Sequence, residues 1–200
     1  MLCLPRLCLW PARTHPLWYL EAVLLLGGTV LWAFVFAWHL KYTGQPVFKA
    51  TIEPLLLGRV TIAGIITALL MLFIADPRLR ILTPADYPRN FAEWAAMTLF
   101  SLAFTQVFLL FAPFAWLMRL FRDRSAAIGL TAMFGLFVMA LKNQSSPTPI
   151  PMGMFSGLLA FRVATGLFSI YCYMRGGAFL VWWWVLLLES RHLPGLFALK

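Results

Sequence analysis

The stretch Trp94–Met118 runs for 25 residues without one charged side chain. A helix needs about 20 consecutive apolar residues to cross the ~30 Å hydrocarbon core of a bilayer, and this stretch supplies them with margin. Other segments read the same way. Leu17–Trp38 carries only Glu21 at its edge, Leu55–Ala75 has Arg59 one turn inside, and Ala126–Leu141 is shorter but uncharged. Gly153–Met174 is interrupted by Arg162, and Gly177–Leu188 makes a short sixth. The expected fold class is therefore all-α, a polytopic transmembrane helical bundle of about six spans, within a range of five to seven.

Composition excludes the alternatives. Hydrophobic residues make up 62% of the chain and charged residues 12%, against about 25% charged in an ordinary soluble domain. A disordered chain, a disulfide scaffold and a collagen-like repeat fail on the same numbers. The net charge of +9 comes from 16 Lys/Arg and 7 Asp/Glu. No basic patch is interleaved with base-stacking aromatics, so no nucleic-acid partner is expected. The cations fall instead in short loops facing the headgroups of a lipid bilayer. Six spans place Arg6, Arg13, Arg78, Arg80, Arg89, Lys142, Arg191 and Lys200 on one side. Lys41, Lys49, Arg119, Arg122, Arg124 and Arg175 fall on the other. That small bias puts both termini in the cytoplasm.

The N-terminal sixteen residues have a short apolar stretch broken by Pro5 and Pro11. They read as an interfacial arm rather than a secretory signal, with Arg6 and Arg13 at the headgroups and Trp10 and Trp18 in the aromatic belt. Cys3, Cys8 and Cys172, with His15, His39 and His192, give no metal-ligand spacing, and no cofactor is expected. Asp76–Glu93, with three prolines, reads as a structured loop or surface helix, and Lys142–Met152 as a connector.

Ionisable and polar residues inside apolar runs are the default functional candidates in a membrane protein, because holding them there costs several kcal/mol. Glu21 and Arg59 lie near span ends, where side chains snorkel to water. Gln106 is mid-span, as interhelical amides often are. Arg162 is the deepest charge, with Glu189 or backbone carbonyls as expected partners. Trp182, Trp183 and Trp184 are consecutive, about 100° apart on a helix, and cannot line one pocket together.

The order of features from Trp94 to Ser190 resembles the CPBP (CAAX protease and bacteriocin-processing, or Abi) family of intramembrane proteases. A long apolar helix runs into FAPFAWLMRLFRDR (Phe111–Arg124), and AAIGLTAMFGLFVMALK follows from Ala126. FRVATGLFSIYCYMRGG (Phe161–Gly177) then precedes a last apolar helix. Within it Arg162, Gly166, Tyr171 or Tyr173, and Gly176 or Gly177 fall in the family's order. Members carry a Glu-Glu-x-x-x-Arg motif, a Phe-x-x-x-His motif and a later His with an Asn four residues on. Matching Arg119 to the motif arginine puts Phe114 and Ala115 at the glutamate positions. Phe134 or Phe137 then leaves Val138 or Leu141 where histidine belongs. No His or Asn lies between Ala178 and Leu188. A glutamate general base and oxyanion stabilisation need those side chains.

The resemblance divides the chain into an N-terminal part, 1–93, with the arm, two spans and a loop; a CPBP-like core, 94–190; and a C-terminal tail, 191–200. It implies a bacterial inner (plasma) membrane protein that has lost, or never had, proteolysis and acts by binding a membrane protein partner or a lipid-like ligand. Arg119, Arg162 and Gln106 are the cavity or ligand-binding candidates. The alternatives are a divergent active protease using Glu189 or Glu93 with His192, and a small transporter or subunit of a larger complex.

Overall fold

A computed structural model describes residues 17–49, 51–145 and 149–197. The chain begins with α1 (Leu17–Thr43) and α2 (Pro54–Leu70), the latter prolonged through a π-turn at Met71–Ala75 into α3 (Asp76–Leu82). Next, α4 (Phe91–Phe100) passes through π-turns at Ser101–Thr105 and Val107–Phe111 into α5 (Ala112–Phe121). Last come α6 (Arg124–Ser145), α7 (Met152–Ser190) and the short α8 (Leu193–Phe197). Among the described residues no strand forms; one isolated bridge joins Phe48 to Gly177.

Five helical segments are long and apolar enough to cross a membrane: Glu21–Thr43, Pro54–Leu82, Phe91–Phe121, Arg124–Ser145 and Met152–Leu196. The protein is an all-α, multi-pass integral membrane protein. Large apolar side chains such as Leu26, Ile62, Phe73 and Phe137 stand exposed on the helices, as lipid-facing residues do.

Five such segments fall within the expected five to seven, because the fifth and sixth expected runs share one. No loop separates Gly153–Met174 from Gly177–Leu188, because both lie in α7, which departs from helical geometry at Gly177 alone (φ 69°, ψ −164°). That residue nonetheless reverses the chain. Phe168 and Trp184 would lie about 24 Å apart along a straight helix, yet their ring centroids are 4.5 Å apart. Two arms of α7, one before and one after Gly177, therefore run side by side as a hairpin.

Two of the π-turns have a common cause. Met71–Ala75 precedes Pro77, and Val107–Phe111 precedes Pro113, at the same spacing. Proline lacks the N–H of the helical ladder and its ring crowds the carbonyl four residues back. Widening the preceding turn relieves that crowding. In the loop before α4, Asn90 Oδ1 accepts from Glu93 N (2.8 Å) while Glu93 Oε2 accepts from Arg89 N (2.9 Å). This reciprocal cap fixes where the third span begins.

The core lies where α1, the π-turns leading to α5, and both arms of α7 meet. Val35, Val107, Phe111, Phe114, Leu180 and Val181 are almost wholly buried there. The three tryptophans face different neighbours, as their helical spacing requires. Trp182 packs on Trp32 and Phe48, Trp183 donates to Thr61 Oγ1 (2.9 Å), and Trp184 packs on Phe168.

Residues on both sides of position 93 share this packing: Leu187 fills the space over Gly64, and α1 lies along α5. Arg191 and His192 pack into the bundle, and α8 follows them, with Gly195 against the Arg80 guanidinium. Most of the expected N-terminal arm, including Arg6, Trp10 and Arg13, lies outside the described residues; Trp18 is exposed.

Candidate functional site

The hairpin break leaves backbone groups without helical partners, and the loop after α1 meets them. Ala178 N donates to Val47 O (2.8 Å). Lys49 Nζ donates to the carbonyls of Met174 (3.2 Å) and Arg175 (2.9 Å), in the last turn before the break. A cation at a helix C-terminus is also favoured by the backbone dipoles. Glycine is required at the bend: a Cβ on Gly177 would lie 2.5 Å from Val47 O, and its φ is left-handed.

Beside this clamp opens a cleft of about 410 Å³ lined by Thr43, Gln45, Lys49, Arg124, Met174 and Arg175. Three of the six are cations and none is an acid. Asp123, the acid adjacent in sequence, accepts from Ser125 N (2.8 Å) and so caps α6. The Lys49 ammonium is held below the ordinary lysine range, first by burial and then by the Arg175 charge. An anion in the cleft would relieve that repulsion.

Near two residues of the cleft wall along the chain are two buried polar side chains. His39 lies one turn before Thr43 on α1, and Tyr173 precedes Met174 on α7. They are 0% and 1% exposed, with ring centroids 4.4 Å apart. Neither imidazole nitrogen nor the Tyr173 hydroxyl has a hydrogen-bond partner among the described residues. A buried polar group left so costs about 1–3 kcal/mol.

The opposite end of the bundle holds a closed cluster. Asp76 is 1% exposed, accepts from the Tyr87 hydroxyl (2.8 Å) and pairs with Arg191 Nε (3.4 Å). His192 meets Tyr87 edge-on (5.2 Å) and its Nε2 lies 3.7 Å from Glu189 Oε2, an ion pair when the imidazole is protonated. Trp94 Nε1 donates to Glu189 O (2.9 Å), and Lys142 pairs with Asp86 (2.9 Å). Burial, and then the Asp76 hydrogen bond, raise the Tyr87 phenol above its ordinary range, which keeps it a donor. Among the described residues no three His, Cys, Asp or Glu side chains group as metal ligands would.

The sequence-predicted residues scatter over these places. Glu189 and His192 come together in the closed cluster. Arg119 is exposed near the cleft end, its guanidinium 4.4 Å above the Trp38 ring. Arg162 lies against Gly135 of α6, where a Cβ would be 3.7 Å from its Nη2. The expected Arg162–Glu189 pair is absent among the described residues, since Glu189 turns to His192. Gln106, half-buried, separates the two π-turns of the third span. Arg119, Arg162 and Gln106 do not line the cleft. Phe114 and Ala115 are fully buried, Phe114 beside His39 and Tyr173, while Leu141 is exposed.

Sequence reasoning missed Lys49, Arg124 and Arg175 as a group, although it placed all three on one side of the bilayer. It missed Asp76, Tyr87 and Arg191 because each looked like a loop or boundary residue. Comparison with family models, with curated proteins and with solved structures gives no match to this chain.

Proposed function

We propose that the protein acts by binding rather than by proteolysis, taking an anionic, lipid-like ligand in the cleft at the hairpin tip. One observation carries this reading: Lys49, Arg124 and Arg175 line a single open cleft with no acid in its lining. The cleft lies where α1 ends, α6 begins and α7 bends, which is headgroup depth for helices that span a bilayer. Each basic residue near an anionic membrane surface contributes about 1 kcal/mol. The CPBP resemblance fits a scaffold without its catalysis, because apolar Phe114 and Ala115 occupy the glutamate positions. The bacterial inner membrane belongs to this reading through the resemblance alone.

Native mass spectrometry tests it. Protein released from nanodiscs of equal phosphatidylglycerol and phosphatidylcholine should retain phosphatidylglycerol. Lys49→Gln, Arg124→Gln and Arg175→Gln combined should lower that retention on the order of 100-fold. Equal retention by the triple variant would refute the proposal.

A second reading, a divergent hydrolase, has one observation in its favour: Glu189 and His192 are brought within 3.7 Å. It requires that Glu189→Gln abolish cleavage of a membrane-anchored peptide, and unchanged cleavage removes it.

A further inference from the structure

The cleft alone does not account for His39 and Tyr173. Both side chains are buried to 0% and 1% exposure, come from different helices and bring to one place three polar atoms with no hydrogen-bond partner among the described residues. Folding gains nothing from that arrangement, since apolar side chains of the same shape would pack without unmet hydrogen bonds. Their position relative to the cleft is the informative part. His39 is one helical turn, about 5.4 Å, from Thr43 in the cleft wall, and Tyr173 adjoins Met174 in the same wall. Phe111 packs on the Tyr173 ring and Phe114 on both rings of the pair. His39 and Tyr173 are closed off from the cleft by its wall, so a ligand held by the three cations reaches the imidazole and the phenol only where Thr43 or Met174 gives way.

That order matches one class of lipid. In an acylated glycerophosphate the phosphate lies at the membrane surface, and the ester carbonyls lie one short glycerol unit beneath it. We infer that the cleft and the His39–Tyr173 pair form one site for a diacyl glycerophosphate lipid, the cations taking the phosphate and the imidazole and phenol donating to an ester carbonyl. This inference rests on the cleft being the binding site. It adds that the site distinguishes ester-linked glycerolipids from other phosphate-bearing amphiphiles. A polyprenyl phosphate offers the same anion with no carbonyl beneath it, and free phosphate offers the anion alone.

The experiment uses the full chain, delipidated in detergent, with four probes: diacyl phosphatidylglycerol, its diether analogue, a polyprenyl phosphate and inorganic phosphate. Binding is read by native mass spectrometry and by the shift in thermal unfolding. The wild type should retain the diacyl lipid about fivefold better than the diether, the worth of one net hydrogen bond. Tyr173→Phe, which removes a single oxygen, and His39→Phe should abolish that preference while leaving binding of the diether unchanged. His39→Gln, which keeps a donor, should restore part of it, so a packing defect is separated from a lost hydrogen bond.

Equal binding of diacyl and diether lipids by the wild type overturns the inference. So does a preference that survives both Phe variants, above all if those variants also melt higher. Polyprenyl phosphate or inorganic phosphate binding as well as the diacyl lipid overturns it too, and leaves the anion cleft intact. Failure of the wild type to hold any of the four probes removes the cleft reading itself.

Discussion

The two ends of this bundle hold similar residues and use them differently. At the closed end Asp76 meets Arg191 and Tyr87, Asp86 meets Lys142, and Glu189 meets His192, so each of these acids has a basic side chain beside it. At the open end Lys49, Arg124 and Arg175 share a cleft that contains no acid. A paired charge holds helices and loops in place, whereas cations gathered without a counter-charge leave room for an anion from outside. The difference is one of pairing and not of residue type, and mutation can probe each end separately.

The largest effect should come from Asp76→Ala. Removing a buried partner leaves the Arg191 charge and the Tyr87 hydroxyl uncompensated, a loss of about 3–5 kcal/mol. Thermal unfolding in detergent would report it, and adding Arg191→Gln should recover part of the loss if the pair acts as a unit. Next is Gly177→Ala, where a side chain must enter a left-handed conformation against Val47 O. About 1–3 kcal/mol of strain is expected, together with weaker anion binding, because the clamp that positions Lys49 is disturbed. That variant would break the comparison, since it links the open end to stability.

Tyr87→Phe removes one hydrogen bond to a carboxylate and should cost about 1.5 kcal/mol, with lipid retention unchanged. At the open end the effect is on binding. Lys49 loses its proton below the ordinary lysine range, because burial and then Arg175 disfavour its charge. Anionic-lipid retention should therefore fall as the pH is raised, by about fivefold for one lost cation, and do so at lower pH than an ordinary lysine would give. Lys49→Arg should hold retention flat over the same range. The smallest change belongs to Lys142→Ala. Its bridge to Asp86 is 43% and 29% exposed, and such pairs contribute about 0.2–1 kcal/mol.

Much of the fold was legible because lipid imposes a simple rule on the sequence. Long uncharged runs had to be spanning helices, and five of the six assigned runs fall in separate helical segments. The sixth shows where that rule stops. A loop was expected near Arg175, but two glycines suffice to reverse the chain when a backbone segment 130 residues earlier supplies the hydrogen bonds. Nothing local to Gly176 and Gly177 reveals that Val47 and Lys49 come to meet them. The site was less legible for the same reason. Glu189 and His192 drew notice as polar residues beside an apolar run, and they do meet. Asp76 resembled an ordinary loop acid until Tyr87 and Arg191 were seen around it. Arg162 stood out by depth, but depth alone does not name a partner.

The arm of α7 after Gly177 carries one more consequence. From Ala178 to Ser190 it is about 20 Å long, well short of the ~30 Å hydrocarbon layer. A helix that stops at such a depth exposes its last carbonyls where no water reaches them. Here the protein itself acts as their solvent: the Trp94 indole binds Glu189 O, and the Arg191 guanidinium binds Leu188 O. Either the bilayer thins over this arm or the closed cluster sits below its surface. In the first case the protein should favour, and locally shape, a thinner membrane than its longer helices would choose; in the second the paired cluster lets the arm end inside a bilayer of ordinary thickness.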